Sequence, residues 1–309
     1  MPLSDEIKGY LEEKASLGAP EVWQAPLEIT RAGTYGRIAL AGIAEEIFSV
    51  ENRYIPGPTC DLHVRIYRPS EEHVLPGLVY FHGGGWVLNF LDIYDAKLSA
   101  LSKASGSVIV AVNYQKAPEH PYPIPFDDCY STFTWVVNNA RDLGIDPLKI
   151  GVGGDSAGGN LAAAVALKAR DTLAPSPKYQ LLINPCNERE FNTSSYLEYS
   201  TGYGLSRETM MWFWKQYLQG NEHDNDPYAC PSTAEDLSNL PEAIIITAEY
   251  DPLKDDGMKY EGLLRAADVR THYREYKGMI HGFANLGSVT PTAREAILYC
   301  AGIIKTIIA

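Results

Sequence analysis

The chain has 309 residues, 45% of them hydrophobic and 21% charged, with a formal net charge of −13 at pH 7. That composition supplies a large core and excludes wholesale disorder. The negative balance excludes nucleic acid and anionic membrane as main partners, because both reward positive surface.

The start, Met1-Pro2-Leu3-Ser4-Asp5-Glu6, carries acids and no apolar run, so no signal peptide is expected. Nothing approaches the roughly 18 to 20 apolar residues of a membrane span, so no membrane insertion is expected either. The five cysteines, at 60, 129, 186, 230 and 300, are odd in number, scattered and without a CxxC pair. They read as free thiols in a reducing, cytoplasmic setting, with neither a disulfide framework nor a metal site.

Residues 1 to about 45 read as amphipathic helix, with Leu11, Trp23 and Ile43 offering apolar surface. Residues 62–67 alternate and predict an antiparallel edge strand; 77–82, 107–113, 149–154 and 243–248 are apolar, β-branched runs that predict strands covered on both faces. Weaker strands are expected at 178–184 and 271–276. Helices are expected over 92–105, 127–143, 157–170, 207–218, 254–267 and from 292 to the end. Strands alternating with helices predict a mostly parallel α/β sheet in one catalytic domain, residues 46–309. The region from about 187 to 220 breaks the alternation with an aromatic cluster, Tyr196, Tyr199, Tyr203, Trp212, Phe213, Trp214 and Tyr217. Core packing is the ordinary reading of such spacing; the sharper one is a lid whose aromatic face lines a substrate pocket.

Gly154-Asp155-Ser156-Ala157-Gly158 stands between the strand at 149–154 and an alanine-rich helix. A GxSxG turns up by chance in a chain of this length about one time in ten, so its strand-turn-helix context carries the weight. There the glycines remove β-carbons that would clash across a tight turn, and the serine is left exposed beside a helix N-terminus. A serine hydroxyl needs a base to take its proton and a carboxylate to orient that base. Of the later histidines, His272 falls in a strand and His223 in the acidic loop 221–226. His281 follows the last strand on a glycine-flanked loop and is the candidate base. Asp251 follows the strand at 243–248, whereas Asp255 and Asp256 suit the first turn of the next helix on dipole grounds alone. The order is therefore Ser156, Asp251, His281.

His82-Gly83-Gly84-Gly85-Trp86 follows another strand and can bring backbone N–H groups against a developing negative charge. With the N–H of Ala157 it makes a candidate oxyanion hole. Trp86, Asp155, Tyr203, Trp212 and Trp214 are counted as candidate pocket residues.

At this point the chain resembles the hormone-sensitive-lipase-like carboxylesterases, bacterial lipolytic family IV. The motifs that carry the likeness are His82-Gly-Gly-Gly-Trp86, Ala117-Pro-Glu-His-Pro121, Gly154-Asp-Ser-Ala-Gly-Gly-Asn160, Asp251-Pro-Leu253 and His281-Gly-Phe283. The resemblance implies an α/β-hydrolase fold with an eight-stranded, mainly parallel sheet and a helical cap built from residues 1–45 and about 187–220. It implies a cofactor-free enzyme, monomer or homodimer, acting on small esters of short to medium acyl chain. Gly84, Gly85 and Ala157 become the oxyanion donors, with Gly83 shaping the turn. Where the family reads Asp-Tyr-Arg-Leu, this chain reads Asn113-Tyr114-Gln115-Lys116, and the two amides are expected to replace a charge pair by a neutral hydrogen-bonded one. Glu119 and His120 read as structural. A ligand-binding receptor on the same fold, an amidase and a deacetylase remain as alternatives, since fold does not dictate function.

Overall fold

The computed structural model describes residues 2–172, 175–220, 223 and 225–309. Met1 and three residues of the acidic loop, Asn221, Glu222 and Asp224, lie outside the described residues. The chain opens with three helices, α1 (Asp5–Ser16), α2 (Leu27–Gly33) and α3 (Arg37–Ala41), and then enters the sheet through β1 (Ser49–Pro56), β2 (Asp61–Arg68) and β3 (Leu75–Phe81). There follow α4 (Asp95–Ser105), β4 (Val108–Asn113), α5 (Ile124–Asn138), β5 (Ile145–Asp155), α6 (Ala157–Asp171) and β6 (Tyr179–Ile183). Two helices, α7 (Ser194–Glu198) and α8 (Arg207–Leu218), precede β7 (Glu242–Tyr250), α9 (Lys254–Ala266), β8 (Thr271–Ile280) and α10 (Pro291–Ile308).

The eight strands form one sheet in the order β1-β2-β4-β3-β5-β6-β7-β8. β1 and β2 are antiparallel to their neighbours, and every pair from β4 through β8 is parallel. β4 shows why its run of sequence is apolar throughout. Val108, Val110 and Val112 join the core beneath α5, α6 and α9, while Ile109 and Ala111 join the opposite core beneath α4 and α10. Each face of a parallel sheet must be covered, and the period-two alternation feeds both cores at once.

Two expectations need correction. The strand at 62–67 is antiparallel but not an edge, because β1 pairs along its whole length, Ser49 opposite Arg68 to Pro56 opposite Asp61. β1 escaped notice because its burial pattern is almost wholly exposed, so little apolar periodicity marks it. In the N-terminal segment Ile43 is 96% exposed, Trp23 is 42% exposed, and the residue that α1 buries fully is Ile7. The five cysteines form no disulfide; Cys60 is exposed and the other four are buried. Among the described residues no helix is long and apolar enough to cross a membrane.

Candidate active site

All three candidate triad residues stand just beyond the carboxyl ends of parallel strands, where an open α/β sheet leaves its crevice. Ser156 occupies the single-residue break between β5 and α6, at φ 55° and ψ −122°. A non-glycine residue in that conformation is strained by an amount of order 1–3 kcal/mol, so its surroundings must hold it. They do so from both sides. The Ser156 N–H donates to the Ile183 carbonyl at 2.8 Å, and its own carbonyl accepts from Asn160 N at 3.0 Å as α6 begins. A Cβ on Gly158 would overlap the Phe81 carbonyl oxygen, so glycine is required where α6 passes the end of β3.

His281 Nε2 lies 3.0 Å from Ser156 Oγ, and His281 Nδ1 lies 2.8 Å from Asp251 Oδ2. Asp251 is fully buried, and both of its oxygens are satisfied. Oδ1 accepts from Leu253 N at 2.8 Å, while Oδ2 also accepts from Asn184 Nδ2 at 2.8 Å. A carboxylate fixed at both ends cannot swing, so it fixes the imidazole in turn. Asn184 was not foreseen from the sequence. It directly follows β6 with φ 47°, one strand from Ser156, and no motif spacing marks it.

The glycine turn is clamped through its carbonyls. The His82 carbonyl accepts from Tyr114 OH at 2.8 Å, and the Gly83 carbonyl accepts from Asn89 Nδ2 at 3.1 Å. The Gly84 carbonyl accepts from Leu88 N at 2.9 Å and from Val87 N at 3.1 Å. A trans peptide sets its N–H opposite its C=O, so tying down the carbonyls of 83 and 84 turns the N–H groups of Gly84 and Gly85 the other way. Gly85 sits at φ 60°, and a Cβ there would overlap the ring of Phe213 on α8. His82 is buried, its ring stacked on Tyr114 at 4.3 Å. Burial, with the Lys116 ammonium second, holds its pKa down at about 3, so the ring is neutral and cannot compete as a charged group at the site.

Three candidate pocket residues are corrected. Trp86 and Trp214 are both 0% exposed: Trp86 stacks on Tyr217 at 4.2 Å and meets Trp214 at 4.5 Å, so they hold α8 to the glycine turn and offer a substrate no face. Asp155 is buried beside Ser156, but its carboxylate is taken up by Tyr80 OH at 2.7 Å, Lys97 Nζ at 3.0 Å, Asn285 Nδ2 at 3.1 Å and Tyr94 OH at 3.3 Å. Burial works against its ionised form, yet the Lys97 ammonium and the hydrogen bonds outweigh it and hold its pKa below the usual carboxylate range. Tyr203 is partly buried, packed against Tyr199 at 5.2 Å and Tyr250 at 5.3 Å, next to Asp251 in the chain. Trp212 lines a groove of about 550 Å³ with Trp23, Phe191 and Met211, and the triad is not in its wall.

The amides of the 113–116 segment do not pair with each other. Asn113 Oδ1 accepts from Lys116 Nζ at 2.6 Å, while Gln115 donates to Asp128 and to Thr59. Each amide engages a charged partner. Glu119 forms a 2.7 Å ion pair with Arg31 and ties α2 to this loop.

A model of the α/β hydrolase fold matches residues 78–285. The chain is 41% identical to carboxylesterase NlhH of Mycobacterium tuberculosis over 240 residues, 76% of this chain and 75% of that protein. It is 32% identical to the arylesterase of Saccharolobus solfataricus over 308 residues, 99% of each. Among solved structures, the hyperthermophilic esterase of the archaeon Pyrobaculum calidifontis superposes with a TM-score of 0.92 at 39% identity, covering 100% of both chains. The chain therefore belongs to the α/β-hydrolase fold family, among the hormone-sensitive-lipase-like carboxylesterases, and is a serine ester hydrolase.

Proposed function

We propose that the chain hydrolyses short- to medium-chain carboxylic esters through an acyl-enzyme on Ser156, with His281 as general base and acid, Asp251 orienting it, and the N–H groups of Gly84, Gly85 and Ala157 as the oxyanion hole. The observation that carries this is the unbroken relay from Ser156 Oγ to His281 Nε2 at 3.0 Å and from His281 Nδ1 to Asp251 Oδ2 at 2.8 Å. Neutral His281 takes the Ser156 proton as Oγ attacks the ester carbonyl carbon. The carbonyl oxygen becomes an oxyanion, stabilised by donors already in place before the reaction starts. Collapse expels the alcohol, which takes the proton from His281 Nε2. Water then enters, gives its proton to the same nitrogen and attacks the acyl carbon; Ser156 leaves with that proton and the acid is released.

The substrate is read here as a small ester reaching Ser156 beneath a cap of residues 1–45 and 187–220. Support comes from contacts that tie the two segments together: Glu21 Oε2 accepts from Thr209 Oγ1 at 3.2 Å, and Lys14 Nζ donates to the Gly204 carbonyl at 3.1 Å. Phe213, seated over Gly85, brings the second segment onto the glycine turn. The test is a series of p-nitrophenyl esters from acetate to palmitate. A burst of nitrophenolate equal to the enzyme concentration, with turnover falling towards the long chains, supports the reading. Turnover that rises towards palmitate, or the absence of any ester cleavage, contradicts it.

A further inference from the structure

A cavity of about 700 Å³ adjoins the glycine turn through Val87, Asn89 and Tyr114, and the triad is not in its wall. Arg31, Lys116 and His120 line it against one carboxylate, Glu119. Arg31 and Glu119 are spent on each other in a bidentate pair at 2.7 and 2.8 Å. Lys116 is differently placed. Its ammonium donates to Asn113 Oδ1 at 2.6 Å and to the Tyr114 carbonyl at 3.2 Å, both neutral, and among the described residues no carboxylate pairs with it. An ammonium has three N–H groups, and a charge withdrawn from water calls for an opposite charge. Thr34, Asn89, Asn113 and Gln115 add neutral polar groups to the wall, and one stretch of it is apolar, with Tyr35 against Phe90 at 4.5 Å and Val87 beside them. In a chain of net charge −13, one cavity walled by basic residues whose sole carboxylate is already paired stands apart.

We propose that this cavity binds a small monocarboxylate with an apolar tail, its carboxylate on Lys116 and its tail against Tyr35, Val87 and Phe90. A cavity of this size that joins an apolar stretch to placed polar and charged groups suits ligands of that kind. The same chemistry belongs to the acid that ester hydrolysis releases and to unrelated organic acids. Identifying it with the product acid rests on the proposed function; the binding itself does not.

The occupant would touch the residues that set the glycine turn. Asn89 holds the Gly83 carbonyl, Tyr114 holds the His82 carbonyl, and Arg31 Nε donates to the Val87 carbonyl at 3.0 Å. A ligand that favours one arrangement of those groups shifts the oxyanion donors, and only that differential contact gives it leverage. Binding also carries a pH signature. Burial, with the Arg31 guanidinium second, draws the Lys116 pKa down to about 7, against the opposing pull of Cys129, Asp128 and Glu119; the other titratable groups in the wall are Arg31, Tyr35, Tyr114, Glu119 and His120. The carboxylate binds the ammonium form, so affinity is full below the free-protein value and falls about tenfold for each pH unit above it.

The test is ligand-observed NMR titration of butyrate, benzoate and 1-butanol with the Ser156→Ala chain, alone and combined with Lys116→Leu or Lys116→Arg. Leucine is the residue the resembling family carries at this position, so that variant is expected to fold. Saturable binding of a carboxylate but not the alcohol, weakened at least tenfold by Lys116→Leu, kept by Lys116→Arg and lost with rising pH, supports the proposal. Butyrate without benzoate points to the product acid, and both together point to a general carboxylate site. Binding unchanged by Lys116→Leu, or no saturable binding at all, overturns it, and neither result depends on ester turnover. In the Ser156-containing enzyme, butyrate should give mixed inhibition that becomes purely competitive in Lys116→Leu. Purely competitive inhibition in both would overturn the coupling to the glycine turn.

Discussion

Two buried carboxylates flank Ser156, and the protein treats them in opposite ways. Asp155 precedes Ser156 in the chain and is neutralised by a lysine, with Tyr80, Tyr94 and Asn285 completing its shell. Asp251 lies beyond β7 with neutral donors, Asn184 and Leu253 N, and its remaining partner is the imidazole of His281. A carboxylate matched by a standing ammonium has nothing left to give during a reaction, so it acts as a fixture. A carboxylate matched by a group that gains a proton mid-reaction has its strongest interaction in the transition state, which is where an interaction raises the rate. Identity and burial are nearly the same at the two positions; the partner decides the role.

The sharpest way to break that contrast is Asp251→Asn, which keeps the shape but removes the charge and favours the wrong imidazole tautomer. kcat should fall by about ten-thousandfold with the fold intact by circular dichroism. A loss under tenfold would place Asp251 with Asp155 among the fixtures. Gly85→Ala comes next. Its Cβ would overlap the Phe213 ring and move the turn, and loss of one oxyanion donor typically costs about a hundred- to a thousandfold in kcat. Because the defect is steric, Phe213→Ala in the same chain should recover part of the rate.

Lys97→Met probes the other carboxylate and should leave the smallest mark on chemistry and the largest on stability. It strands Asp155 without its cation, at a cost of about 3–5 kcal/mol read from the urea midpoint. The pH dependence has a definite sign. In the parent chain the Asp155 pKa is held low, so its contribution is present above the ordinary value near 3.9 and is lost as pH falls through the lower folded value. In the variant, burial without a cation raises that pKa, so the penalty is full at neutral pH and eases as the carboxyl protonates. The gap between the two urea midpoints should narrow from about pH 7 to about pH 5. A gap that widens on acidification would mean that Lys97 acts through packing instead of charge.

These contrasts also mark how far the sequence could be read. The arrangement of the proposed triad was legible because Ser156, Asp251 and His281 each follow a strand in chain order, and α6, α8 and α9 carry clean start signals or periodicity. β1 was not legible, since an exposed edge strand leaves little apolar pattern. Nor could chain order say which way the Asp155 side chain turns: Lys97, at 58 residues' distance, reaches it only through the packing of α4 on the sheet. Trp86 and Trp214 read as pocket residues by their type. Only the stacking of Trp86 on Tyr217 reveals that they serve the interior. Asn184 was missed for the same reason, because its partner Asp251 lies 67 residues away.

The most direct test of Ser156 as the nucleophile is covalent. Protein treated with a fluorophosphonate and mapped by peptide mass spectrometry should carry one adduct, on Ser156, in step with loss of ester turnover, and Ser156→Ala should take up none. An adduct on another residue, or ester turnover undiminished in Ser156→Ala, would contradict the account.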